Sequence, residues 1–460
     1  MDFAAVLKRQ RTFFLSGATR PLEFRRAQLL TLRGAIEAHE QLLLDALQAD
    51  LGKSPHEAYA TELGLVLGEI RHALRHLPAW MKPRGRRTPL LAWPSHGLIR
   101  PEPYGVALII GPWNYPFQLL LSPLVGALAA GNCVVLKPSE FAPHTAAAIA
   151  QLIGGAFPED YIAVVQGDRE TAEALLREKF DTIFFTGSSL VGRAVMTAAA
   201  QHLTPVTLEL GGKCPCLVCA DAPLDITARR IAWGKFMNAG QTCVAPDFLL
   251  VDRRIRPALV AALKRALREF YGDNPQQSRD YSRIVNQRHF HRLVGFLGNG
   301  RLAHGGQHDA NDLYLAPTIL TDVPLDTSLM QEEIFGPILP VLDFDQLDEA
   351  LALLRDRATP LALYLFTKNR ATQERVIATT RSGGVSLNDT VTHMIGANLP
   401  FGGLGESGLG AYHGHASFRC FTHYRSVLRR SLALDLKLIF PPPRVSLAML
   451  KRIYRFLLGG

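Results

Sequence analysis

From Arg20 to Leu51, and again from Thr61 to Leu77, apolar side chains recur at spacings of three and four residues. That is the period of amphipathic helices. The first hundred residues therefore read as helical, interrupted by a basic, proline-containing stretch at Met81–Pro89 that reads as an exposed connector. The period then changes. Short runs rich in branched residues at Val106–Ile110, Cys133–Leu136, Ile162–Val165, Thr182–Phe185 and Val206–Leu210 predict strands. Between them, Thr145–Ile153, Arg169–Lys179 and Val191–His202 have helical period. Strands alternating with crossover helices predict a parallel sheet covered on both faces, the α/β class. Ligands of such sheets bind beyond the carboxyl ends of the strands. The turns to inspect are therefore Gly111–Pro116, Lys137–Glu140, Thr186–Gly192 and Glu209–Lys213. A second region opens after Ala220 with a helix from Leu224 to Met237 and carries strand and helix signals to Leu387. A glycine-rich stretch, Pro400–Gly414, closes it.

Composition narrows the class. With 460 residues, 48% hydrophobic and 20% charged, the chain has material for two or three domains at about 100–200 residues each. Disorder, collagen and a disulfide scaffold are excluded, since 38 Gly, 29 Pro and six Cys are unexceptional at this length. No apolar run reaches the roughly 18 residues of a membrane span. The first residues mix charge with apolar side chains, unlike a secretory leader, so a cytoplasmic protein with reduced thiols is expected. Charge is distributed unevenly. Of the net +9, residues 425–460 supply +7, from eight basic side chains against Asp435 alone. From Arg444 to Leu458, Arg444, Lys451, Arg452 and Arg455 fall on one side of a helical projection, with Met449, Leu450, Ile453, Phe456 and Leu457 on the other. Such a helix suits a membrane surface or a packed interface with a solvated basic face.

Several side chains suggest chemistry. Gly403, Gly405 and Gly408 match the dinucleotide fingerprint in letters, but Pro400 precedes them and Gly410 follows, so the stretch reads as a loop. Gly187 and Ser188, between a strand and a helix, form a better phosphate turn or simply a tight connection. Cys214, Cys216 and Cys219 lie in an apolar run without a fourth ligand and read as structural; Cys133 and Cys420 read as core. Cys243 differs, flanked by turn formers and followed by Pro246, as an accessible nucleophile requires. Glu209 ends an apolar strand beside Gly211 and Gly212, either as a base whose proton affinity is raised by burial or as a carboxylate bonded to the glycine amides. The Asn114 amide can donate to an oxyanion or merely close its turn.

Taken in order, Gly111-Pro-Trp-Asn-Tyr-Pro116, Leu136-Lys-Pro-Ser-Glu140, Phe185-Thr-Gly-Ser188, Leu208-Glu-Leu-Gly-Gly-Lys213, Asn238-Ala-Gly-Gln-Thr-Cys243, Glu332-Glu-Ile-Phe-Gly-Pro337 and Pro400-Phe-Gly-Gly403 resemble the aldehyde dehydrogenase superfamily. Val244-Ala-Pro-Asp247 and Gly410-Ala-Tyr-His-Gly414 resemble its class 3 branch, which includes fatty aldehyde dehydrogenases. The resemblance spans roughly residues 10 to 425. It implies an α/β fold with a Rossmann-type parallel-sheet cofactor domain (1–80 and 102–209), an α/β catalytic domain (210–408) and a small oligomerisation arm (81–101 and 409–430), followed by the basic tail (431–460).

The resemblance also implies roles. Cys243 would attack the aldehyde, and Asn114 with the Cys243 backbone N–H would hold the oxyanion, worth about 3–4 kcal/mol per donor in comparable chemistry. Glu209 would activate the water that hydrolyses the thioester. Lys137 and Glu140 would meet the adenosine ribose of NAD, with Trp113, Gly187 and Ser188 near the pyrophosphate and Glu333 and Phe335 at the nicotinamide ribose and ring. Glu140 favours NAD, while Lys137 leaves NADP possible. The substrate pocket is expected near Leu119, Asn388–His393 and the tail, for a medium- or long-chain aliphatic or aromatic aldehyde. A homodimer is implied, with possible peripheral membrane contact through residues 444–458. No metal is expected. Acyl transfer to coenzyme A is disfavoured by Glu209, and a binding protein without activity by the intact Asn114, Glu209 and Cys243 set. Nucleic-acid binding rests on charge alone.

Overall fold

The computed structural model describes residues 2–89, 92–434 and 440–458. Val106–Ile110, Cys133–Lys137 and Thr182–Thr186 are buried at every position, which is why they lack the alternation of a half-exposed strand. They form the centre of a six-stranded sheet. Its order is Gly408–Leu409, Val206–Glu209, Thr182–Thr186, Val106–Ile110, Cys133–Lys137, Ile162–Val164. The last five strands are parallel, and Gly408–Leu409 adds antiparallel to Val206–Glu209. Helices Gln118–Ala130, Pro143–Ala156, Arg169–Arg177 and Ser189–Ala200 make the crossovers. The first of these is buried along its whole length and reads in sequence as apolar on every side.

A second, seven-stranded sheet runs Arg301–His304, Thr318–Thr321, Ile338–Phe344, Phe248–Asp252, Pro215–Val218, Ala362–Phe366, Gly384–Leu387. Only its first pairing is antiparallel. Cys214 and Cys216 are fully buried at the start of Pro215–Val218, and Cys219 is half-buried just after it. Among the described residues no His, Cys, Asp and Glu group has metal-site geometry. Cys133 lies in the core; Cys420 is half-buried and hydrogen-bonded to the Thr207 hydroxyl at 3.0 Å.

The helical reading of the first hundred residues fails beyond Met81. Arg84–Arg86 and Ser95–Pro103 are strands, joined with Thr422–Arg430 into a three-stranded antiparallel sheet. The connector expected at Met81–Pro89 thus contains an exposed strand. Pro83, Pro89, Pro94, Pro101 and Pro103 deny this segment a helix, and its pairing partner lies more than 300 residues away. At the other end, the tail helix spans Leu447–Leu458, three residues shorter at its start than the Arg444–Leu458 reading. Ser446 Oγ accepts from the Met449 N–H at 3.3 Å and stops it there. Asp435 and Lys437 lie outside the described residues.

Candidate active site

Helix Leu224–Phe236 ends where Asn238 and Ala239 turn left-handed, at φ +52° and +50°, with Gly240 following at +74°. A Cβ on Gly240 would stand 2.3 Å from the Gly336 carbonyl oxygen, so this turn requires glycine. The loop that follows is fastened by buried polar groups. Gln241 Nε2 donates to the Asn238 and Arg283 carbonyls at 3.0 and 2.9 Å, and its Oε1 accepts from the Val285 N–H at 3.0 Å. The Tyr115 and Thr242 hydroxyls bond at 2.6 Å, the Tyr364 hydroxyl donates to the Val244 carbonyl, and the Cys214 thiol donates to that of Cys243 at 3.4 Å. Cys243 is thereby fixed as a half-buried thiol lining a cavity of about 650 Å³.

Asn114 and Glu209 line the same cavity. Asn114 sits in the turn after Val106–Ile110, and its Nδ2 donates to the Gln241 carbonyl at 3.0 Å, leaving a second N–H. Glu209 ends the Val206–Glu209 strand, 3% exposed, and neither carboxylate oxygen has a hydrogen-bond partner. Burial raises its proton affinity well above that of an ordinary carboxyl. The alternative in which glycine amides hold Glu209 is overturned. The Gly212 N–H instead donates to Glu333 Oε1 at 3.0 Å. Glu333 is itself raised to about 8 by burial. The Cys243 thiol is pushed up to about 12, first by burial and then by the nearby Glu333 and Glu209.

Trp113, Gly187, Ser188, Glu333 and Phe335 line the cavity's other half. Ser188 Oγ accepts from the Val191 N–H, capping helix Ser189–Ala200, whose amino end faces the cavity beside Gly187. A Cβ on Gly187 would press to 2.5 Å from the Phe185 ring. Phe335 holds φ +49° and meets Trp113 edge-on at 5.3 Å. Its loop is pinned by Asp247, which accepts from the Ile334 N–H at 2.9 Å, and by Lys213, which contacts Asp247 and donates to the Glu332 carbonyl at 2.7 Å.

Lys137 and Glu140 stand apart from this lining, at the end of the neighbouring strand. Lys137 is buried, donates to the Pro138 carbonyl at 2.8 Å and lies 3.6 Å from the Glu140 carboxylate. Leu119 lines the cavity, whereas Asn388–His393 and the described residues of the tail do not. Residues that sequence reasoning missed complete it. His289 packs 5.2 Å from Trp113 and is lowered to about 4 by burial, aided by Arg292 and Arg288. Arg292 holds the Ile334 carbonyl at 2.7 Å. Their spacing on helix Gln287–Phe296 puts both on one face, but nothing local says what that face meets. The Gly403–Gly408 stretch is a loop: Gly408 extends the sheet beside Glu209, where a Cβ would fall 2.5 Å from the Leu208 carbonyl oxygen.

The sequence matches the model of the aldehyde dehydrogenase family over residues 2–427. It is 48% identical over 438 residues to aldehyde dehydrogenase family 3 member A2 of Macaca fascicularis, covering 95% of this chain and 90% of that protein. It is 48% identical over 449 residues to the dimeric NADP-preferring aldehyde dehydrogenase of Canis lupus familiaris, covering 97% and 98%. The structure of Staphylococcus aureus AldH in a substrate-bound state superposes with a TM-score of 0.96 at 44% identity, over 99% of this chain and 100% of that one.

Proposed function

This chain belongs to the aldehyde dehydrogenase family, and from that premise we propose that it oxidises apolar aldehydes to carboxylic acids through a covalent intermediate on Cys243. Aldehyde oxidation with NAD(P) is the activity of the family. What supports the finer reading is the convergence of Asn114, Glu209 and Cys243 on one cavity in which both Glu209 oxygens lack partners.

The residues fit a dinucleotide. A capped helix amino end beside Gly187 and Ser188 suits a pyrophosphate, and Glu333 with Phe335 suits the nicotinamide ribose and ring. Lys137 and Glu140 would take the adenosine ribose. When bound, the nicotinamide accepts the hydride. Once the Cys243 thiol has given up its proton to water, its sulfur attacks the carbonyl carbon, and the resulting oxyanion takes the free Asn114 N–H and the Cys243 backbone N–H. Loss of hydride from that carbon leaves a thioester. Glu209 then takes a proton from water as its oxygen attacks, the C–S bond breaks, and the acid departs with the thiolate restored. Two easier steps replace one hard oxidation.

Leu119 and Leu210, apolar side chains of the lining not assigned to the dinucleotide, favour a medium- or long-chain aliphatic or aromatic aldehyde. Glu140, where a 2′-phosphate would approach, favours NAD, with NADP accepted through Lys137. The dog relative's description as dimeric supports a homodimer, with residues 81–101 and 409–430 as its arm; Thr422–Arg430 and Gly384–Leu387 each lie at a sheet edge. The six-, seven- and three-stranded sheets favour a division into cofactor domain, catalytic domain and arm at the boundaries expected from sequence. The tail helix is read as a membrane-surface element. Among the described residues no helix is long and apolar enough to cross a membrane.

The test is reduction of NAD by purified protein with aldehydes of increasing length. Cys243→Ala should lose turnover by at least a thousandfold, on the scale of removing a nucleophile. Glu209→Gln should give one burst of reduced cofactor and slow turnover afterwards. Unchanged steady-state rates in either variant would falsify its assigned role.

A further inference from the structure

Two charged side chains far from the cavity in sequence act on its oxyanion donor. Lys53 and Glu62 form an ion pair with both side chains fully excluded from solvent. Glu62 lies on a π-helical turn, Tyr59–Leu63, a local widening that often marks a functional position. Its Oε2 accepts from the Phe117 and Gln118 N–H groups at 2.9 and 3.1 Å, where helix Gln118–Ala130 begins. Lys53 Nζ contacts Glu62 Oε1, lies 4.0 Å above the Tyr115 ring, and donates to the backbone carbonyl of Asn114 at 3.0 Å. That carbonyl takes a second hydrogen bond, from Asn238 Nδ2 at 2.8 Å. Asn238 is in turn held at its backbone N–H by Glu57 Oε1 at 2.7 Å.

A buried ion pair rarely stabilises a fold better than apolar side chains of the same size, because taking both charges out of water offsets their attraction. Capping the helix would need an acceptor alone, not a lysine. What the ammonium adds is a fixed donor to Asn114. The peptide of Asn114 is gripped from two sides, and its side chain is left with one N–H bound to Gln241 and one free.

Resting on the reading of Cys243 as nucleophile and Asn114 as oxyanion donor, we propose that Lys53, Glu62 and Asn238 are positioning residues. They hold the Asn114 turn against the Cys243 loop so that the free amide N–H points where the oxyanion forms. Without them the donor is present but loose, and misplacement by about 1 Å can cost on the order of a hundredfold in rate.

The experiment is a double-mutant cycle on the full chain, read by the p-nitrophenolate burst from p-nitrophenyl acetate. In that burst the Cys243 sulfur bonds to the acyl carbon and nitrophenolate leaves. The step needs an oxyanion donor but neither cofactor nor aldehyde. Lys53→Met/Glu62→Gln, which removes both charges and keeps an acceptor for the helix amides, should slow the burst about tenfold beside Asn114 and less than twofold in an Asn114→Ala background. Alkylation of Cys243 by iodoacetamide, which forms no oxyanion, should stay within twofold throughout. Equal slowing in both backgrounds, no slowing in the folded double variant, or a parallel loss of alkylation overturns the proposal. Should that variant not fold, Asn238→Ser, which removes the other donor to the same carbonyl, is carried through the same cycle with the same outcomes. Absence of a burst in the unsubstituted chain is a separate result: it removes the acyl-accepting role of Cys243, and the proposal with it.

Discussion

Glu209 holds its proton more tightly in the folded chain than in the unfolded one, because its carboxylate is buried and no protein group hydrogen-bonds it. Below the ordinary carboxyl value of about 4.3, both states are protonated and the burial is nearly free of penalty. Above it the unfolded chain releases the proton while the folded chain keeps it. Stability is then lost at about 1.4 kcal/mol per pH unit until the raised folded value is passed. Glu209→Gln, a neutral isostere, removes that loss. Its melting temperature should match the parent's near pH 4.5, exceed it increasingly as the pH rises from there, and level off once the raised folded value is passed. A gain independent of pH, read by thermal scans across that range, would rule this account out. The residue proposed to activate the hydrolytic water is therefore expected to weaken the fold, a common trade at reaction centres.

At the scale of elements, the site depends on strand ends that approach neighbouring groups too closely for a side chain of their own. A Cβ on Gly211 would fall 2.2 Å from Glu333 Oε2 and 2.6 Å from Oε1. Glu333 would have to swing away and release the Gly212 N–H. In Gly211→Ala the KM for NAD should rise on the order of tenfold, with stability lowered by about 1–3 kcal/mol, the usual range for overpacking. Initial-rate kinetics decide it, and an unaltered KM would mean that Glu333 does not hold the cofactor.

The parallel sheet was legible because each buried strand is written in a local run, as at Val106–Ile110, which the structure reproduces residue for residue. Asn114, Glu209 and Cys243 were legible as turn or strand-end residues out of keeping with their surroundings. The arm strands were not, since Ser95–Pro103 finds its partner only at Thr422–Arg430. Nor were the Lys53–Glu62 pair and the left-handed Ala239, because neither follows from neighbours in sequence.

Across the whole molecule, charge is sorted by region. The arm sheet carries Arg84, Arg86, Arg100, Arg425 and Arg429, with Glu102 between Arg100 and Arg425 at 3.6 and 3.5 Å. The tail helix adds Lys451, Arg452 and Arg455 and leaves Leu447, Met449 and Phe456 exposed at 65%, 54% and 83%. Exposed apolar side chains of this size on a helix opposite a basic stripe need a surface to cover them, and an anionic bilayer satisfies both faces at once. Each basic residue near such a surface contributes about 1 kcal/mol, screened by salt. The full chain should therefore sediment with vesicles containing about 30% phosphatidylserine, far less with phosphatidylcholine alone, and less as ionic strength rises. A chain ending at Phe440 should bind at least tenfold more weakly while oxidising a short, water-soluble aldehyde at an unchanged rate. Equal sedimentation by the two chains, or indifference to phosphatidylserine, would remove the bilayer as the surface that covers the exposed apolar face. If the bilayer is the partner, removing the tail should slow turnover of vesicle-dissolved long-chain aldehydes selectively, because it changes where the enzyme meets its substrate and leaves the chemistry at Cys243 untouched.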